Sequence, residues 1–431
     1  MQIVKRLSGL TRSIVLLATI YVVLVSCSKE EEPQPQPEPP KLVPEISDIS
    51  PKSGFVGMHV VIHGKNFSKV RDQNIVKFAG IDAVVVDADE NSIEVTVPSG
   101  GTTGSVTVQA NDGTATGPSF KYYDLYLLGN ETVGISNHVR FWRSGIVTDI
   151  SDQTKQYYGT SFVMSGDDVF ISGYHFDGQT THPVYWKNTQ VHPLSTGTGV
   201  ATDISVSGND TYATGIEYNG THWIARYWKN ESFVELSEDP QGSDASSIDV
   251  VDGNVFVGGA LSTSNETSTA AFWKNGSVQP IEEALGSSGI SFVKVSGQDI
   301  HMVGSRLLDS KVYVTYWKND VVKDITSGEY AAVATSISII EGDVYITGYE
   351  NNSAGQGQAK VWNVTKGEVY NMPDGSTYSV AMGVAKIDDM LVICGERQTA
   401  QGRRPFYRVN GVSYPVAEMG TDVSIYGIFV K

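Results

Sequence analysis

The chain has 431 residues, with 31 Lys and Arg against 48 Asp and Glu, a net charge of −17, and two cysteines. A polyanion such as DNA needs clustered cations to release its counterions. The sequence has no such cluster, which argues against nucleic acid and disfavours strongly anionic glycans, and two cysteines exclude a disulfide framework.

The first dozen residues carry Lys5, Arg6 and Arg12 and no acid. An apolar run follows from Ile14 to Val25, the length of a signal-peptide core and well short of the ~20 residues a spanning helix needs. It ends in Leu24-Val25-Ser26-Cys27, which resembles the lipobox of bacterial lipoproteins. That resemblance implies cleavage of a leader over 1–26 and diacylglycerol on the Cys27 thiol. Loss of the leader leaves 28 basic against 48 acidic side chains, a net −20. With Cys27 lipidated, Cys394 has no disulfide partner; it sits in the apolar stretch Met390-Leu391-Val392-Ile393-Cys394 and reads as a small buried hydrophobe. Ser28-Lys29-Glu30-Glu31-Glu32 resembles the surface-export tag of Bacteroidetes-type lipoproteins, with an ordinary acidic linker as the alternative. The run from Pro33 to Pro40 alternates Pro with Gln and Glu, and reads as a polyproline II spacer of about 25 Å. Residues 27–43 are thus expected to tether the chain to the outer membrane, facing the exterior.

Residues 44–123 resemble the IPT/TIG family of immunoglobulin-like domains. The carrying segments are Ile46-Ser47-Asp48-Ile49-Ser50-Pro51-Lys52-Ser53-Gly54, Gly57 and Val61-Ile62-His63-Gly64-Lys65-Asn66-Phe67. Val76-Lys77-Phe78-Ala79-Gly80, Ile93-Glu94-Val95-Thr96-Val97-Pro98 and Gly104-Ser105-Val106-Thr107-Val108 follow in order. Each is a short alternating strand bounded by turn residues, as a β-sandwich requires. The resemblance implies a spacer or platform. Asp87-Ala88-Asp89-Glu90-Asn91 lacks the turn glycine and distal glutamate of a calcium loop and reads as a solvated turn.

From Asp124 to the end the chain repeats. Aromatic pairs or their relics recur at Phe141-Trp142, Tyr185-Trp186, Tyr227-Trp228, Phe272-Trp273, Tyr316-Trp317, Val361-Trp362 and Phe406-Tyr407, spaced by 44, 42, 45, 44, 45 and 45 residues. Lys-Asn follows four of them, and a glycine closes an apolar strand in every unit: Gly129, Gly173, Gly215, Gly259, Gly304, Gly348 and Gly395. Each unit reads as four strands, a to d, for example 202–206, 211–215, 225–228 and 233–236, with no sustained helical period. Four short antiparallel strands at this repeat length predict a β-propeller blade. The array begins on a strand b (Asp124 to Gly129) and finishes on a strand a (Ser424 to Val430), so the last segment should complete the first sheet and close seven blades over 124–431. The motif resembles the HAF type of extracellular Trp-Lys-Asn repeats, a set with no single activity; its last two units have drifted at Trp362-Asn363 and Tyr407-Arg408.

Residues kept at one register, Trp142, Trp186, Trp228, Trp273, Trp317, Trp362 and Tyr407, are read as packing between blades, and the repeated acidic turns as hairpin geometry. In a propeller the b–c and d–a loops share a face, and loops vary there on a rigid frame. Its candidate ligand residues are Tyr157, Tyr158, Tyr174, His175, Tyr218, Trp223, Tyr330, Tyr349 and Tyr378, with Arg397, Arg403 and Arg404. An aromatic platform with polar rims suits a neutral oligosaccharide; ordinary exposed loop aromatics are the plain alternative. No Gly-x-Ser-x-Gly elbow, His-Glu-x-x-His or Cys-x-x-Cys occurs, and no histidine pair has metal-ligand spacing, so neither catalytic residue, metal nor cofactor is expected. The expected function is non-catalytic capture of a glycan at the cell surface. A docking platform for an envelope protein is the second class, and a hydrolase or lyase built on paired carboxylates the third.

Overall fold

The computed structural model describes residues 42–431 apart from 112, 135, 153–154, 237–240, 264–266, 282–285, 320, 373–374 and 417–422; the expected leader over 1–26, Cys27 with its expected lipid, and the Pro-rich segment lie outside the described residues. Regular structure among them is β throughout, save one 3-10 turn at Arg71–Gln73.

The first eight strands, from Glu45–Ser50 to Gly113–Tyr122, form one continuous sheet folded over on itself. The short strand Ile75–Phe78 joins its two halves, pairing with Ile81–Ala88 on one side and Gly104–Ala110 on the other. Ile49, Val60, Ile62 and Ile93 from one half and Phe78, Val106, Val108 and Phe120 from the other share one buried core. The acidic turn closes on its own backbone: Asp89 Oδ1 accepts from the amides of Asn91 (2.6 Å) and Ser92 (2.8 Å).

Seven four-stranded antiparallel sheets follow. Blade 2 is typical, with strands Gln156–Ser165, Asp168–Phe176, Thr181–Lys187 and Gln190–Pro193 in order a to d. Blades 3 to 7 repeat this over 199–235, 243–279, 287–324, 332–371 and 379–415. Blade 1 takes strands b to d from Leu125–Val133, Ser136–Arg143 and Ile146–Asp149, and strand a from Val423–Val430. Backbone bonds between Asp124 and Lys431, of 2.9 and 3.0 Å, finish the ladder. The ring is closed by its own last strand.

The aromatic pair works through the two-residue period of a strand, which points neighbours to opposite faces. Phe141 of blade 1 and Trp186 of blade 2 lie in one core; Tyr185 of blade 2 and Trp228 of blade 3 lie in the next. The first member thus packs forward and the second backward, and all seven second members are buried.

The repeated glycine answers to a bulge. In every blade strand a shifts register just past the residue opposite the strand-b glycine, as between Gly159 and Ser161 or Ala245 and Ser247. The bulge turns a strand-a carbonyl onto the glycine: a Cβ on Gly129 would stand 2.6 Å from Ser424 O, and one on Gly259 would land on the oxygen of Asp244. The bulged residue itself faces the channel, where Thr160, Thr202 and Thr335 donate to the Ala201, Ala245 and Ala381 carbonyls of the next blade at 2.8, 2.8 and 2.5 Å.

Lys-Asn is a clamp between two turns. Asn188, Asn230, Asn275 and Asn319 adopt φ of +48 to +55°, a conformation asparagine tolerates. Asn230 Oδ1 accepts from Thr211 N (2.9 Å) while its Nδ2 donates to Asp210 Oδ1 (2.6 Å). Lys187, Lys229 and Lys318 pair with Asp168, Asp210 and Asp299 at 3.0, 2.8 and 2.8 Å. Blade 1 reaches the same end with Arg143 on Asp124 (2.7 Å) and Ser144 Oγ accepting from Leu125 N (3.3 Å). Asn230→Ala removes both bonds and places alanine in the left-handed region, so it should cost about 2 kcal/mol. Asn230→Gly should cost less, and thermal melting of the two variants checks the order.

Candidate functional site

The sheet formed by 45–122 docks on one face of the disc, across the seam between blades 7 and 1. Tyr407 donates its hydroxyl to Val56 O at 2.9 Å and meets Phe55 edge-on at 4.9 Å. Ser99 Oγ donates to Ser144 O (3.2 Å) on the c–d turn of blade 1. Asp388, on the a–b turn of blade 7, accepts from Tyr123 (2.9 Å) and Lys121 (3.3 Å). Hydrogen bonds from Ser53 and Tyr123 hold the Asp388 carboxyl below the usual carboxylate range. The core of the sandwich and the core of the 7–1 interface are one cluster. These contacts all fall on a–b and c–d turns or the strands beside them, so the b–c hairpins and d–a connections lie on the opposite face.

Two rings of cross-strand pairs describe that opposite face. The inner ring, in blade order 1 to 7, is Asn130/Ser424, Tyr174/Tyr158, Ile216/Val200, Ala260/Asp244, Ser305/Gly289, Tyr349/Val333 and Glu396/Val380. The outer ring, at the b–c hairpin ends, runs Thr132/Asn137, Phe176/Thr181, Tyr218/Trp223, Ser262/Ser268, Leu307/Val312, Asn351/Gly357 and Gln398/Arg403.

Three aromatic pairs stand on these rings. Tyr158 and Tyr174 stack at 4.8 Å with planes 12° apart. Tyr218 and Trp223 lie 5.6 Å apart, 45% and 42% exposed. Tyr349 meets Tyr378, just ahead of the inner strand of blade 7, at 5.7 Å. Burial raises the Tyr174 and Tyr378 hydroxyls above their ordinary range, so both are neutral donors at physiological pH. Tyr158, Tyr426, Asn130 and Arg403 line a hollow of about 190 Å³ between blades 7, 1 and 2. Arg403 Nη1 reaches Glu396 Oε1 at 3.5 Å at its edge. Asn130 is locked there by bonds to Gly159, 3.1 Å to its carbonyl and 2.9 Å from its amide.

Of the residues expected on this face, Tyr157 is buried, while His175, Tyr330, Arg397 and Arg404 are half-buried. Tyr157 is 5% exposed, edge-on to Trp186 at 5.4 Å in the blade 1–2 core, so it cannot offer a ring face to a ligand. His175 lies against Tyr157 at 5.0 Å, and burial lowers its pKa. Tyr330 sits on the connection between blades 5 and 6, where its hydroxyl bonds Glu329. Arg397 and Arg404 face each other in register on blade 7.

The sequence reading missed a set of half-buried ion pairs beneath the rim. Arg226 bridges Glu217 (3.1 Å) and Glu235 (3.5 Å); Arg140 bridges Glu131 and Asp149; Lys360 pairs with Glu350. In each the acid stands two residues past the strand-b glycine and the cation directly opposite that glycine, a signal present in the repeat. Blade 5 reverses the polarity, with Arg306 on strand b and Asp324 on strand d at 2.5 Å. The central channel, of about 450 Å³, has Thr160, Thr202, Asp203 and Lys294 among its walls. Asp203 is spoken for: Oδ2 accepts from Ser247 Oγ (2.7 Å) and Ile248 N (3.0 Å). Among the described residues no group of three or more His, Cys, Asp or Glu is placed to hold a metal.

The architecture defines a two-part protein, an IPT/TIG domain followed by a seven-bladed β-propeller, and residues 44–122 match the family model of the IPT/TIG domain. Comparison with curated proteins finds no match. Similar solved structures include an auxiliary nutrient binding protein from Bacteroides thetaiotaomicron, 12% identical over 81% of this chain and 94% of its own, with a TM-score of 0.41. Another auxiliary nutrient binding protein, from Bacteroides ovatus, is 14% identical over 78% of this chain and 86% of its own, with a TM-score of 0.40. A puromycin hydrolase is 9% identical over 69% of this chain and 52% of its own, with a TM-score of 0.50, a likeness of fold alone.

Proposed function

We propose that the protein is a non-catalytic binding lipoprotein of the bacterial outer surface, anchored through Cys27, whose b–c and d–a loop face captures a neutral oligosaccharide. One observation carries this: three aromatic pairs, on blades 2, 3 and 6–7, stand on the face turned away from the docked sandwich, those of blades 2 and 6–7 on its inner ring and that of blade 3 at the hairpin ends. Aromatic faces bury the apolar side of a sugar ring, and the asparagine, arginine and tyrosine hydroxyls beside them orient its polar edge. Placing the sandwich on the other face leaves this one open to the exterior.

Glycan-array screening and calorimetry of the form beginning at Lys41 test the reading. Tyr174→Ala and Trp223→Ala should each weaken binding about tenfold, the equivalent of ~1.4 kcal/mol. Unchanged affinity in the double variant would sink the platform, and release of cleaved products would make the protein an enzyme instead. Cys27→Ala should move the protein out of the membrane fraction.

A further inference from the structure

We infer that a serine-lined groove over blades 4 and 5 is a second subsite for the same oligosaccharide, gripping sugar hydroxyls where the aromatic pairs grip ring faces. It rests on the reading above.

The repeat supplies its own control. Where blade 2 carries Tyr174/Tyr158 on the inner ring, blades 4 and 5 carry Ala260/Asp244 and Ser305/Gly289. Where blade 3 ends its hairpin with Tyr218/Trp223, blade 4 ends with Ser262/Ser268. Small residues at these positions open a groove of about 440 Å³ with no aromatic side chain in its walls. Gly289 has nothing nearer its absent Cβ than the Ala260 methyl at 3.7 Å.

The walls are set by their own bonds. Ser268 Oγ lies 3.2 Å from Ser287 Oγ and donates to Ser288 O at 3.0 Å, while Ser288 Oγ accepts from Ala270 N at 3.0 Å. Ser246 donates to Asp244 at 3.2 Å. The hydroxyls of Ser262 and Ser305 take no partner among the described residues, and Ser305 is exposed. The blade 5 end of the walls adds Arg306 and an aliphatic edge of Leu307 and Val312; hydroxyls and the Asp244 carboxylate beside a short aliphatic edge, with no aromatic ring, match the mixed polar and apolar surface of a sugar chain rather than an aromatic ligand. Around the ring it lies between the aromatic pair of blade 3 and that of blades 6–7. A chain of sugars held at either pair runs into it.

Calorimetry with neutral glucan, mannan and galactan oligosaccharides, from disaccharide to octasaccharide, decides the matter. Affinity of the parent should rise with chain length. Ser262→Ala with Ser305→Ala, and separately Asp244→Asn, should lower affinity for the longest glycans about tenfold and leave the shortest unchanged. Tyr174→Ala should weaken long and short alike. Thermal melting confirms that the serine variant stays folded, both positions lying at the surface. Length-independent binding, or a serine variant with the parent's affinities, overturns the subsite while the aromatic platform stands. Binding of no glycan by the parent overturns both.

Discussion

Gly304→Ala should leave a protein that melts far below its parent. The bulge between Ile290 and Phe292 aims the Gly289 carbonyl at Gly304, so an added methyl would land on that oxygen, and the nearest relief is a backbone shift. Both strands are pinned, one by its ladder to Lys311–Lys318 and the other by packing around the channel, so no flexible side chain can give way. Overpacking against backbone of this kind costs about 3 kcal/mol or more. A domain has only ~5–15 kcal/mol of net stability to lose. Gly289→Ala is the matched control: the same strand pair, but a nearest neighbour 3.7 Å away, and near-parental melting. Equal melting temperatures for the two variants would show that the bulge does not require glycine.

Removal of residues 423–431 should have a larger effect. Blade 1 would lose its inner strand, exposing the edge of Leu125–Val133 along seven register pairs and stripping Val423 and Ile425 from the shared core. An uncovered edge is a template for pairing with another chain. The truncated protein should therefore lose its single cooperative transition and associate, seen as a broadened melt and a high-mass fraction on size exclusion. A synthetic peptide of the missing strand, added during refolding, should restore the parental elution. A truncated form that remains monomeric and melts with the parent would remove ring closure as the source of stability.

Much of the architecture was legible in the residues. Aromatic pairs and glycines recur in register because each blade must pack both of its faces and must clear a bulge, so the glycine is written seven times and the full ring pair six, with Val361 standing in on blade 6. Closure was legible because the array opens on a strand b and ends on a strand a. Demands met only once leave no such trace. Tyr407 stands where other blades carry Trp, and its hydroxyl hooks the Val56 carbonyl, while Asp388 is the acceptor for the same docking; in sequence the one shows only as a drifted repeat and the other as one more acidic turn. Composition places Tyr157 on the exposed face beside Tyr158, yet neighbours in a strand point opposite ways, so only one of the two can be presented. The parity of the strand, counted back from the bulge at Thr160, carries that answer.

The sandwich touches blade 1 and blade 7 together. A pull applied at Leu42 would therefore divide, one share running along the chain through Tyr123 into blade 1 and the other crossing the bracket of Val56, Tyr407 and Asp388 into blade 7. Those two blades meet beside the strand that closes the ring, so the bracket and the closing strand hold the same seam.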